Sequence, residues 1–290
     1  MSKHLVIAGC SFTQHNRPET WHHSVKEQFK DSVVLHNVGI GGAGNYTIST
    51  MCINKVSELL DKGVKPSDIK VVTQWSGVSR KSFIGDNRSN ILSVDFVHCE
   101  ADSEIKRLAQ QNGSSKFCWD IGKRNDEKYW TFFKDTYWSD ECAFIETLEN
   151  ILRTQWFLKS SNIDFLMFLG WDLFTDAESG EHMHGSWRGW FKANDGRGQW
   201  DKSVKYENKN NKLLSEKYKW STHLWRMIDF SCFTFFENSK IKMGGMMQWG
   251  QYNLPPKLWY CGPNDPHPSA DVQNGFFNSH VRPWLKSKGV

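Results

Sequence analysis

The chain has 290 residues, a formal charge of +4, 39% hydrophobic and 23% charged residues, the balance of an ordinary globular protein. At that length one domain can bury roughly 75% of the surface its unfolded chain exposes, so no staple is needed to hold a core. The small charge, with no block of consecutive Lys or Arg, argues against a nucleic-acid partner. No stretch approaches the ~18 apolar residues that cross a bilayer, and the first residues lack the pattern of a secretory leader. A cytoplasmic protein without a membrane partner is the expectation; the oligomeric state is left open. The seven cysteines are scattered, odd in number and form no CxxC pair, which reads as reduced and mostly buried thiols.

In chain order, residues 4–10 read as a buried first strand and Glu19 to Phe29 as a helix. Residues 32–37 form a second strand that runs into the glycine-rich turn VGIGGAGN. A helix is predicted from Tyr46 to Lys62, with Ile48, Met51, Cys52, Val56 and Leu59 at helical spacing and Gly63 as its stop. DIKVVTQWS supplies a third strand. Residues 139–160 carry the strongest helical pattern, with Ser139 as N-cap. NIDFLMFLGW follows as a fourth strand, then a helix over 222–237 and a last one from Ala270 to Lys286. This alternation predicts one α/β domain, a mostly parallel sheet with helices on both faces. Residues 81–137 and 175–220, long, polar and rich in Gly, Asn, Lys and Trp, read as insertions in that domain.

Chemistry-bearing residues gather at the predicted strand ends, where open α/β sheets bind ligands. After the first strand comes Gly9-Cys10-Ser11-Phe12-Thr13, in which Ser11 is either a nucleophile or the cap of the next helix. After the second comes Asn37-Val38-Gly39-Ile40-Gly41-Gly42-Ala43-Gly44-Asn45, either an oxyanion-binding nest of N–H groups or a plain turn. It does not match G-x-G-x-x-G or a P-loop. After the third comes Trp75-Ser76-Gly77-Val78-Ser79-Arg80, and near the end GPNDPHPSADVQNGF places Asp265 and His267 between stiffening prolines. His182-Met183-His184 lacks acidic or thiol partners at ligand spacing, so no metal site is expected.

The order of these blocks resembles the SGNH (GDSL-like) hydrolases, esterases and lipases with a flavodoxin-like three-layer α/β/α sandwich. The short GCSFT form is similar to proteins of bacteriophages, so a virion setting is a second expectation beside the cytoplasm. The resemblance covers about the first 80 residues and the last 30. It implies Ser11 as nucleophile, His267 as general base and Asp265 as its orienting carboxylate, with no cofactor. Its oxyanion hole falls on Ser11 and Gly42 N–H groups, aided by Ser79 or Asn45. Three positions depart from the family pattern. Cys10 stands for the Asp beside the nucleophile, Ser79 for the oxyanion Asn, and Asp265-Pro-His267 is one residue shorter than D-x-x-H.

Trp is unusually frequent, at 15 residues. WRGWFKANDGRGQW places Trp187, Arg188 and Trp190 together, side chains that stack on sugar rings and pair with acidic groups. The function expected is hydrolysis of a carboxylic ester, such as an O-acetyl group on carbohydrate. The alternative is a catalytically silent relative that binds carbohydrate or serves as a virion component. A flavodoxin-like nucleotide-binding domain leaves Asp265 and His267 unexplained.

Overall fold

Leu5, Val6, Ile7 and Ala8 are wholly buried, as a continuous apolar run must be when both faces of its sheet are covered. The computed structural model describes residues 3–15, 17, 19–78, 80–84, 91–95, 136, 139–175, 213–262 and 267–290. Among them, β1 (Lys3–Ala8) lies between β2 (Val33–Asn37) and β3 (Ile69–Trp75). Outside β3 come β6 (Asp164–Leu169) and the two-residue β7 (Phe233–Thr234). The order β2-β1-β3-β6-β7 is parallel throughout. A separate antiparallel hairpin, β4 (Arg80–Ile84) with β5 (Ile91–Asp95), stands at the start of the first expected insertion.

The helices are α1 (Trp21–Phe29), α2 (Asn45–Asp61), α3 (Asp140–Ser160) and a single turn, α4 (Leu214–Lys217). Then come α5 (Thr222–Met227), α6 (Met246–Asn253), α7 (Ala270–Phe276) and α8 (Arg282–Ser287). Strand alternation assigns them to faces. On one side, Thr73 of β3 meets Cys52 of α2, and its neighbour Met167 of β6 meets Gln155 of α3. On the other, Phe168 meets Trp21 of α1 and Phe276 of α7, with ring centroids 5.5 and 5.1 Å away. The α/β architecture with helices on both faces is therefore as the sequence predicts. No helix among the described residues is long and apolar enough to cross a membrane.

Ser139 caps α3 by accepting a hydrogen bond from the Cys142 N–H at 3.1 Å. Cys10 and Cys52 are buried thiols, and burial pushes Cys52 up to about 12. The segment 222–237 is a correction. Helix α5 stops at Met227, Asp229 caps a short 3-10 turn at Phe230–Cys232, and β7 follows. Phe233 and Phe235 stack on each other at 5.2 Å, the i, i+2 spacing of extended chain, which a helix would throw to different sides. The last predicted helix is present, but Phe277–Val281 winds as a π-type turn between α7 and α8. Pro283 follows and lacks the N–H that would keep the ladder regular.

Opposite the site, Lys3 Nζ donates to the Lys288 and Gly289 carbonyls at 2.8 and 2.9 Å, tying the two ends of the chain together. Asp164 binds Lys288 at 2.8 Å and the buried Lys70 at 3.0 Å. Lys288, then Lys70, hold the Asp164 carboxyl below the usual range against the opposing effect of burial. A depressed folded-state pKa adds stability above the unfolded value near ~3.9 and loses it as pH falls through the folded value. Asp164→Asn is expected to cost about 1 kcal/mol at pH 7, a small figure because water screens a half-exposed carboxylate. Urea titrations of both proteins should draw together as the pH falls below the unfolded value of ~3.9 and converge once it has passed the lower folded-state value, where the native carboxyl also protonates.

Candidate active site

The carboxyl ends of β1 and β3 form the crevice where the chain reverses its direction of travel across the sheet, the usual ligand position in such folds. Beyond Ala8 the chain makes a tight turn, Thr13 and Gln14 N–H groups both donating to the Cys10 carbonyl at 2.9 and 3.1 Å. Helix α1 starts only at Trp21, with Thr20 at its N-cap position. Ser11 is thus not a helix cap. It sits on the turn, 6% exposed.

Buried contacts fix that turn. Gln74, 0% exposed, accepts hydrogen bonds on Oε1 from the Cys10 N–H at 3.1 Å, Cys10 Sγ at 3.3 Å and Thr13 Oγ1 at 3.3 Å. Its amide donates to the Trp75 carbonyl at 2.5 Å. Trp21 Nε1 donates to Thr13 Oγ1 at 3.1 Å, and Asn37 Nδ2 to the Thr13 carbonyl at 2.7 Å. Cys10 therefore belongs to the support beneath the turn, its thiol turned toward Gln74. The glycine run seats against the same turn. A Cβ on Gly39 would fall 2.9 Å from the Thr13 carbonyl carbon, and one on Gly41 would overlap the Gln14 side chain. Gly42 has φ +75, a left-handed conformation that glycine adopts without strain.

His267 meets Ser11 here. Its Nε2 lies 2.8 Å from Ser11 Oγ, across 256 positions of sequence. The loop that carries it is anchored on both sides. Cys261 N–H donates to the His267 carbonyl at 3.0 Å, and Ser269 N–H to the Trp259 carbonyl at 3.1 Å. Ser269 Oγ caps α7 by accepting from Val272 N–H at 3.3 Å. Gln273 donates to the Pro268 carbonyl at 3.2 Å and accepts from Trp21 N–H at 3.0 Å, joining the loop to α1. The Phe12 ring stands edge-on to the imidazole at 5.8 Å.

Arg17, which the sequence reading passed over, lies beside this pair with Nη1 3.4 Å from His267 Nε2. A guanidinium can only donate, so that contact needs Nε2 as acceptor, with the ring proton on Nδ1. This is also the tautomer to which a serine hydroxyl donates. A lone arginine in an aperiodic loop carries no sequence signal beyond its nearness to Ser11.

Asn45 requires a correction. Its side chain is buried, Nδ2 donating to the Ser76 carbonyl and Thr147 Oγ1 at 3.1 Å each while Oδ1 accepts from Ser76 N–H at 2.9 Å. An amide has two N–H donors, and here both serve to join α2, α3 and the end of β3. Asn45 has none left for an oxyanion. Asp265, Ser79, Trp187, Arg188, Trp190, His182 and His184 lie outside the described residues.

A cleft of about 390 Å³ opens beside the glycine turn between α2 and α3, lined among others by Tyr46, Arg80, Glu146, Asn150 and Arg153. Rings connect it to the dyad. Phe12 also contacts Trp171 at 5.0 Å, and the Arg80 guanidinium lies over Trp171 at 5.6 Å. Arg153 lies over Tyr46 at 4.9 Å. The arrangement as a whole offers a hydroxyl in contact with a base and, beside it, a polar cleft with aromatic and charged walls. No family model matches the chain, and no curated protein matches it either.

Proposed function

We propose that the chain is a serine esterase of the SGNH type that hydrolyses a carboxylic ester through an acyl-enzyme on Ser11. The observation that carries this reading is the 2.8 Å contact between Ser11 Oγ and His267 Nε2, the reach a general base needs. Ser11 Oγ attacks the ester carbonyl carbon while its proton passes to Nε2. The tetrahedral oxyanion is stabilised by the N–H groups of Ser11 and Gly42, with Ser79 as the candidate side-chain donor. As the intermediate collapses, the leaving alcohol takes the proton from Nε2. Water then adds to the acyl carbon, again deprotonated by His267, and frees the acid and Ser11. Asp265 is assigned to the Nδ1 side of the imidazole. An O-acyl carbohydrate is the favoured substrate, with Trp187, Arg188 and Trp190 as its candidate platform.

The commitment of Asn45 to Ser76 and Thr147 favours one competing reading, a silent carbohydrate-binding or virion protein. Loss of one oxyanion donor typically costs ~100- to 1,000-fold, a reduction that leaves an enzyme measurable. Hydrolysis of p-nitrophenyl acetate by wild type and Ser11→Ala separates the two. An esterase loses roughly 10,000-fold or more in the variant, and the wild type, not the variant, gains one fluorophosphonate adduct, on Ser11, by intact mass. A folded wild type with neither turnover nor adduct overturns the proposal in favour of the binding role.

A further inference from the structure

One face of α3 brings Glu146, Glu149, Asn150 and Arg153 to the cleft beside the glycine turn, a stripe at helical spacing. Arg153 reaches across to α2. Its Nε donates to Ser49 Oγ at 3.0 Å, and its Nη2 to Thr50 Oγ1 at 3.0 Å and the Tyr46 carbonyl at 3.3 Å. The Tyr46 ring at 4.9 Å steadies the guanidinium further. All these partners are neutral, and Nη1 keeps its N–H groups with no partner among the described residues. Glu149 stands four positions earlier, a spacing that favours an ion pair with arginine. It is exposed and has no ion-pair partner among the described residues. Asn150 Nδ2 donates to the Glu146 carbonyl at 2.6 Å, which leaves its Oδ1 as an acceptor.

The lining sets two guanidiniums, Arg80 and Arg153, among two carboxylates, Glu146 and Glu149. An anion drawn to Arg153 meets the carboxylates, and a cation drawn to Glu149 meets the guanidiniums. An apolar acyl chain would strip water from these groups and return no hydrogen bond. A sugar hydroxyl donates and accepts at once, so an uncharged polyol can use both kinds of wall. The volume of about 390 Å³ suits a small molecule, whose sites span ~300–1,000 Å³. The cleft also belongs to the dyad's edge of the sheet, since its lining residue Asn45 closes the glycine turn and Val78 follows β3.

We infer that this cleft binds an uncharged sugar, with Arg153 Nη1 as donor and Asn150 Oδ1 and Glu149 as acceptors. As a substrate subsite the cleft rests on the esterase reading and deepens it. The sugar held there is the alcohol portion of the ester, neither a sugar acid nor an amino sugar.

The test compares the methyl 6-O-acetyl glycosides of glucose, galactose and mannose with cyclohexylmethyl acetate, a primary ester of similar size that lacks hydroxyls. Wild type should favour at least one sugar ester in kcat/KM by about 10-fold or more. Arg153→Met should lower that ratio by roughly 10- to 100-fold, the span of one charge-assisted hydrogen bond, mainly through KM. Asn150→Leu leaves the bonds of Arg153 to α2 in place and puts apolar bulk into the cleft, so it decides where Arg153→Met fails to fold. It should lower the ratio by about 10-fold. Binding is read apart from chemistry, by saturation-transfer NMR of the parent methyl glycosides with Ser11→Ala. At least one neutral glycoside should give a signal that adding Asn150→Leu removes, and glucuronate and glucosamine should bind more weakly. An active wild type without sugar preference, a ratio unmoved by Asn150→Leu, or tighter binding of glucuronate or glucosamine overturns the inference and leaves the esterase standing. Glycoside binding that Asn150→Leu removes, with neither turnover nor a Ser11 adduct, overturns the esterase reading and keeps the cleft as the sugar site of a binding protein.

Discussion

Replacing His267 by alanine is expected to reduce acetyl-ester turnover about 10,000-fold, as loss of the base does in serine hydrolases. A serine hydroxyl is a poor nucleophile until a base accepts its proton, and Nε2 at 2.8 Å is the base within reach. His267 is partly exposed, so the variant should melt close to wild type. The Ser11→Ala, His267→Ala double variant should lose little beyond either single change, because the two residues act as one unit. Fluorophosphonate labelling of Ser11 should slow in parallel. Turnover above a tenth of wild type in His267→Ala would remove the imidazole from the mechanism.

Gln74→Leu is expected to destabilise the protein by about 2–3 kcal/mol, a melting point lower by roughly 5 °C. Leucine fills similar space, so the loss isolates the hydrogen bonds. The Cys10 N–H and Thr13 Oγ1 give up an acceptor inside the core, and a buried donor without a partner bears its full desolvation cost. The same bonds hold the turn that aims Ser11. Displacement of that turn by about 1 Å should cost ~100-fold in kcat, a larger proportional effect than the stability change. Chemical denaturation with parallel ester assays checks both. Native stability in Gln74→Leu would mean that the turn is held by Trp21 and Asn37 instead.

The fold was legible wherever a strand is buried on both faces or a helix carries its own punctuation. Leu5 to Ala8, the β3 run and the Ser139 cap of α3 are local signals, and the chain obeys them. The region after Met227 was not, because CFTFF suits a helix face and a strand equally. Its choice is made by pairing with Met167 and Phe168, which local pattern does not encode. The two members of the dyad were legible as a serine at a strand end and a histidine in a proline-stiffened loop near the carboxyl terminus, and their pairing only through the resemblance. Asn45 was misread for the opposite reason. What an amide donates to depends on its neighbours in space, here Ser76 and Thr147, the latter 102 positions away. Arg17 belongs to no period and no motif, so only the folded geometry reveals its place.

The dyad also has a history in time. Ser11 leaves the ribosome 256 positions ahead of its proposed base. Helix α1 docks on α7 through Trp21 with Gln273 and Ser24 with Asn274, and on the turn after it through Gln28 with Asn278, so the early helix lacks its mate until that late segment is made. A nascent or truncated chain that stops short of His267 displays the serine without the imidazole. Under the proposed esterase reading, the two groups meet only once the His267 loop is made, and fragments that lack it are expected to be inert.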